Sequence, residues 1–133
     1  MPHKILVVDD EPDIQNLAKV ILQKAGYQVS VASNGAEALR KAESQLPDLI
    51  LLDVILPAKS GWEVCGALKS QDKTKHIRIL MFTVLSQIIG DQRSRDQADM
   101  HGCDGYLAKP FTREGLLDVV KEQLHEAKAR EPA

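Results

Sequence analysis

What this chain lacks narrows its chemistry before any motif is read. It has only two cysteines, Cys65 and Cys103, far apart and with no CxxC and no histidine at ligand spacing. That argues against a zinc site or a dithiol redox motif, and both thiols read as reduced packing residues. No apolar run approaches the length of a bilayer span, so no membrane contact is expected. An excess of basic charge is also missing: the formal net charge is −2, aromatics are 4% of residues, and Lys and Arg never cluster with them. Direct nucleic-acid binding is therefore not expected. Neither Gly-x-Gly-x-x-Gly nor a P-loop occurs, which removes the commonest nucleotide cradles. The opening Met-Pro-His-Lys is too short and unflanked for a signal peptide, and the expectation is a cytoplasmic protein.

What is present centres on residues 48–57, Asp-Leu-Ile-Leu-Leu-Asp-Val-Ile-Leu-Pro. Leu49 to Leu52 have no solvent face, which suits a strand buried on both sides of a parallel sheet. Asp53 then stands at the carboxyl end of that strand, the edge where open α/β sheets bind ligands. Taken alone, Asp53 could equally close a strand or begin a turn.

The rest of the chain alternates in kind. Residues 4–8 form a short apolar strand that runs into Asp9, Asp10, Glu11 and Pro12, a helix start. Ile14, Leu17, Ala18, Ile21, Leu22 and Ala25 recur at helical spacing up to Gly26. Residues 27–32 read as a second strand, and Ala36, Leu39, Ala42 and Leu46 as a helix that ends before Pro47. Beyond the 48–57 stretch, Trp62, Cys65, Leu68 and Lys69 mark a third helix, and residues 71–76 a loop. Residues 77–82 are a fourth strand that ends on Thr83. Residues 86–100 have a poor helical pattern, with Gly90 inside it. Residues 105–108 make a fifth strand before Lys109-Pro110, and Thr112 caps a last helix with Leu116, Leu117, Val120 and Leu124 on its buried side. Residues 127–133 are polar and expected to fray.

Strands alternating with helices predict a single α/β domain over residues 1–133: a three-layer, doubly wound, five-stranded parallel sheet of strand order 2-1-3-4-5, flavodoxin-like. That topology puts Asp9, Asp10, Asp53, Thr83 and Lys109 on one edge. Three carboxylates so placed repel one another unless a cation sits among them. Oxygen donors with room for water suit Mg²⁺.

At this point the chain resembles the receiver domain of two-component response regulators. The matching pieces are Val-Val-Asp-Asp-Glu (7–11), Leu-Leu-Asp followed by Leu-Pro and Gly (51–61), Thr83, and Gly-Tyr-Leu-Ala-Lys-Pro-Phe (105–111). The resemblance implies that Asp53 is the phosphoacceptor, taking a phosphoryl group from a sensor histidine kinase or a histidine phosphotransfer protein. It implies that Asp9 and Asp10, with Asp53 and the backbone carbonyl of Ile55, hold Mg²⁺ or Mn²⁺. By the same resemblance Lys109 meets the phosphoryl group, Thr83 hydrogen-bonds it, Tyr106 is the switch aromatic, and Lys109-Pro110 is a cis peptide. Such a protein is a signalling module acting on a downstream protein partner. It takes part in its own Mg²⁺-dependent phosphotransfer and autodephosphorylation and does not turn over a substrate.

Two departures from the family pattern stand out. Val84 follows Thr83 where the family has a small residue, and the interval from Thr83 to Lys109 is about one helical turn longer than the common pattern. A receiver-like binding module that works without phosphate is the alternative reading. An aspartyl-phosphate phosphatase of the haloacid dehalogenase type is disfavoured, since that chemistry wants an Asp two residues after the nucleophile and here the position is Ile55.

Overall fold

The structure, a computed structural model, describes residues 3–57, 59–84, 104–109 and 111–130. In chain order the elements are β1 (Lys4–Val8), α1 (Pro12–Lys24), β2 (Gln28–Ala32), α2 (Gly35–Gln45), β3 (Leu49–Asp53), α3 (Gly61–Lys69), β4 (Arg78–Val84), β5 (Gly105–Lys109) and α4 (Arg113–Arg130). All strand pairs are parallel, and the order across the sheet is β2-β1-β3-β4-β5. This is the doubly wound arrangement that the alternation predicts.

Strand alternation divides the core into two halves. Leu6, Val8, Ile50, Leu52, Ile79 and Met81 face one way and pack with Ala38, Ala42, Val64, Cys65 and Leu68 of α2 and α3. Ile5, Val7, Leu49, Leu51, Leu80 and Phe82 face the other way and pack with Ala18, Leu22, Leu116 and Val120 of α1 and α4. Every residue of β3 is buried, because it is the central strand with helices on both faces. Burying such an aliphatic side chain stabilises by about 2 kcal/mol, so the strand that carries Asp53 is firmly seated. Cys65 lies wholly within the core, whereas Cys103 is outside the described residues.

The helices begin and end where local chemistry says they should. Pro12 opens α1, and Gly26, at φ 100°, turns the chain after it, a conformation that side chains with a Cβ resist. Asn34 caps α2 through a bond from the Glu37 N–H at 2.8 Å, Ser60 caps α3 through the Glu63 N–H at 3.3 Å, and Thr112 caps α4 through the Gly115 N–H at 2.9 Å.

Several boundaries differ from the sequence reading, among them the start of β4, at Arg78 and not Ile77, and the end of β5, at Lys109 and not Ala108. Tyr27 precedes β2, because its N–H closes the end of α1 on the Leu22 carbonyl. Strand β4 runs on through Thr83 and Val84, which pair in register with Ala108 and Lys109. Helix α4 continues to Arg130 and so takes in residues 127–130 of the stretch expected to fray; Ala, Lys and Arg are all good helix formers. The weak helical pattern of residues 86–100 and the cis peptide at Pro110 lie outside the described residues.

Candidate functional site

Strand register decides which residues meet at the carboxyl edge. Val8 lies level with Leu52, and Asp53 level with Phe82, so Asp9 and Asp10 leave β1 beside the end of β3. One oxygen from each of Asp9, Asp10 and Asp53 lies within 4.8 Å of the other two. Asp9 is fully buried, Asp53 is 6% exposed, and Asp10 is open to solvent. The cluster thus has two fixed walls and an open mouth.

Backbone donors hold the two buried carboxylates in place. Asp9 Oδ1 accepts the Glu11 N–H at 2.8 Å, and the Asp9 N–H donates to the Ala32 carbonyl at 3.1 Å, tying the end of β1 to the end of β2. Asp53 Oδ1 accepts the Ile55 N–H at 3.2 Å. Hydrogen bonds to an ionised acceptor are the stronger kind, and they fix where the carboxylate points. Ile55 itself leaves the strand end with its side chain 57% exposed.

Gly61 fixes the loop that follows the acceptor strand. Its N–H donates to the Val54 carbonyl at 2.8 Å, and a Cβ at this position would stand 2.2 Å from the Asp53 carbonyl oxygen. No side chain fits there, so α3 can begin against the backbone of Asp53 only with glycine. The sequence reading used Gly61 as a matching letter and missed this contact. A glycine in the first turn of a helix, where most residues form helix better, was the available signal.

The remaining site residues fall where the topology requires. Thr83 is one residue beyond Phe82, and Lys109, at the end of β5, is level with Val84; both belong to the same edge as Asp53. Tyr106 is half-buried on β5, level with Met81, against the core half that holds α2 and α3. Phe111 packs on Phe82 with ring centroids 6.2 Å apart and so secures the chain just past Lys109.

A second polar cluster, which sequence reasoning did not find, occupies the opposite end of the sheet. Asp104 accepts from Lys69 Nζ at 3.0 Å and from the Ile79 N–H at 2.8 Å, and forms an ion pair with Arg78 at 3.3 Å. Gln123 of α4 accepts from Arg78 Nη2 at 3.0 Å and donates to the Asp104 carbonyl at 3.2 Å. Bonded partners within it are up to 45 positions apart in the chain, beyond what local pattern can show.

The model of the response regulator receiver domain family matches residues 5–121. The chain belongs to that family. This receiver domain is 40% identical over 134 residues to the alkaline phosphatase synthesis transcriptional regulatory protein PhoP of Bacillus subtilis, a match that takes in 100% of this chain and 53% of PhoP. It is 32% identical over 127 residues to the polar-differentiation response regulator DivK of Brucella anthropi, covering 96% of this chain and 100% of DivK. Among solved structures it is similar to the receiver domain of the sensor histidine kinase PA1611 from Pseudomonas aeruginosa, which has a magnesium ion coordinated in its active-site cleft. There the TM-score is 0.83 and the identity 30%, over 94% of this chain and 99% of that one. The receiver domain therefore spans about half the length of PhoP and the whole of DivK. Its family serves phosphorelay signalling, with histidine kinases and downstream effectors as partners. Among the described residues no helix is long and apolar enough to cross a membrane.

Proposed function

We propose that Asp53 accepts a phosphoryl group from the phosphohistidine of a sensor histidine kinase or a histidine phosphotransfer protein, and that the resulting acyl phosphate changes how this domain binds a downstream protein. A carboxylate oxygen of Asp53 attacks phosphorus; the new O–P bond forms as the N–P bond breaks, and its electron pair returns to the imidazole nitrogen. The observation that carries this reading is the convergence of the Asp9, Asp10 and Asp53 oxygens within 4.8 Å at the open end of the sheet, in a chain of this family.

Hard oxygen donors, two buried and one at the mouth, fit Mg²⁺ or Mn²⁺, and the magnesium held by the related PA1611 receiver supports the same choice. Asp9, Asp10, Asp53 and the Ile55 carbonyl would hold the ion, which when bound offsets the negative charge that keeps an anionic acceptor from an anionic phosphoryl group. The chain's own residues do the rest. The Ile55 N–H orients the Asp53 carboxylate, and Gly61 keeps the loop behind it from shifting. We assign Lys109 to meet the charge that spreads over the phosphoryl oxygens, and Thr83 to hydrogen-bond the group once attached. Tyr106, level with Met81 on β5, would follow Thr83 and pass the change to the last strand and helix. Residues 1–133 would act as one receiver domain in the cytoplasm and as a phosphoryl carrier, without turnover of a separate substrate.

Intact mass tests this directly. Wild type incubated with acetyl phosphate and Mg²⁺ should gain one phosphoryl group, and Asp53→Asn or excess chelator should abolish the gain. An adduct that persists in either case would refute the assignment.

A further inference from the structure

The carboxylates at the site are not held by the backbone alone. Gln15, one turn into α1, reaches across the carboxyl edge with its side-chain amide. Its Nε2 lies within hydrogen-bond distance of the Asp9 carbonyl, of the Ala32 carbonyl at 3.0 Å and of Ser33 Oγ at 3.1 Å. Two of these partners are carbonyl oxygens, which only accept, so the NH₂ end of the amide must face them. One amide thereby joins the end of β1, the first turns of α1 and the loop from β2 into α2.

Asp9 is consequently held at its N–H by the Ala32 carbonyl, at Oδ1 by the Glu11 N–H, and at its carbonyl by Gln15. The first two bonds are made by main chain and would survive almost any substitution. Among these three, the third depends on the identity of a second side chain. We propose that Gln15 is a positioning residue for the divalent-cation site: it locks the backbone of Asp9, so that the buried carboxylate is already aimed when the ion arrives. The amide suits this task because it supplies two N–H donors without adding charge beside three carboxylates. Groups that orient a ligand from outside the coordination sphere commonly change metal affinity by about 10- to 100-fold. Gln15 acts one step further back, through the main chain, so the lower end of that range is expected.

The inference rests on the reading of Asp9, Asp10 and Asp53 as a Mg²⁺ site, and the experiment separates the two. Mg²⁺ and Ca²⁺ are titrated calorimetrically into metal-free wild type and Gln15→Met, a side chain of similar length with no donor. Mg²⁺ demands near-ideal octahedral ligands at about 2.1 Å, whereas Ca²⁺ accepts longer and irregular ones. Loss of aim should therefore weaken Mg²⁺ binding about tenfold, equivalent to about 1.4 kcal/mol, and Ca²⁺ binding by no more than about two- to threefold. Should Gln15→Met not fold, Gln15→Leu is measured in its place, and Ser33→Ala, which removes one partner of Gln15 but none of Asp9's three bonds, should bind Mg²⁺ as wild type does. Equal losses for both ions, or a Mg²⁺ affinity within twofold of wild type, would overturn the role of Gln15 while leaving the cation site intact. A wild type that binds no Mg²⁺ would overturn the site itself and this inference with it.

Discussion

The two ends of the sheet deal with buried charge in opposite ways. At the amino end, Lys69, Arg78 and Asp104 are 18%, 7% and 15% exposed at their side chains, and each cation faces the carboxylate. Lys69 also donates to the Ile77 carbonyl at 2.7 Å, and Gln123 joins Arg78 to the main chain of Asp104. Charges of both signs meet there, and the cluster joins α3, β4, β5 and α4. At the carboxyl end, three charges of one sign meet within 4.8 Å. A folded chain gains nothing from gathering like charges, so that edge makes physical sense as a place where a cation and a phosphoryl group arrive. The first cluster ties elements of the fold together, whereas the second gathers charge of one sign at an open edge.

Removing one carboxylate from each end should therefore have consequences of different size and sign. The largest effect is expected at Asp104. Asp104→Ala leaves the buried Arg78 and the part-buried Lys69 without their shared partner, and breaking a buried pair in this way costs about 3–5 kcal/mol. Urea denaturation followed by circular dichroism measures it, and Asp53 should still accept phosphoryl groups in the molecules that remain folded. A loss below about 1 kcal/mol would mean that the amino-end cluster is not the fastening described here.

A smaller and partly inverted effect is expected at Asp10. In chelator, Asp10→Asn relieves repulsion at an exposed position and should leave stability unchanged or raise it by about 0.5 kcal/mol, since solvent screens most of the interaction. Mg²⁺ at a hundred times its dissociation constant should stabilise wild type by about 2.7 kcal/mol. The same ion concentration should stabilise Asp10→Asn far less. Thermal unfolding with and without Mg²⁺ provides both numbers. Should Asp10→Asn in chelator lose as much stability as Asp104→Ala, the contrast between the two ends would fail.

The carboxyl end was legible in the sequence and the amino end was not, for a physical reason. Apolar runs such as 49–52 announce strands, and a strand that ends on Asp announces itself by the break in its own pattern. Once the ends of β1, β3, β4 and β5 are placed by topology, Asp9, Asp10, Asp53, Thr83 and Lys109 must share an edge. Asp104, Arg78 and Gln123 point to nothing one by one: Asp104 precedes a strand, Arg78 sits near the start of one, and Gln123 is a polar position on a helix. What makes them a cluster is the register of β4 with β5 and the crossing of α4, which pairwise spacing does not encode. Gln15 escaped notice in the same way, as a polar position on an amphipathic helix. Gly61 escaped because the reason for it, the backbone of Asp53 2.2 Å from where a Cβ would be, exists only in the folded chain. The strand boundaries at Tyr27 and Val84 moved because hydrogen bonds, not side-chain polarity, end a strand.

A surface pair gives the scale against which both ends can be measured. Glu37 and Lys41, one turn apart on α2, are bridged at 3.1 Å with side chains 26% and 30% exposed. The hydrogen bond from Lys41 holds the Glu37 carboxyl below the ordinary glutamate value, against the opposing effect of partial burial. A carboxylate depressed in the folded state contributes stability that is present above its unfolded value and is lost as pH falls through the folded one. Glu37→Gln should thus cost about 0.3–0.5 kcal/mol at neutral pH, and the difference from wild type should shrink as pH falls through the lowered Glu37 value and vanish below it. Denaturation midpoints of the two proteins across that range supply the comparison. A loss at neutral pH as large as that of Asp104→Ala would mean that burial is not what separates the amino-end cluster from an exposed pair. A loss of a few tenths that disappears in acid would leave burial, together with the mixing of charge sign, as the source of the difference.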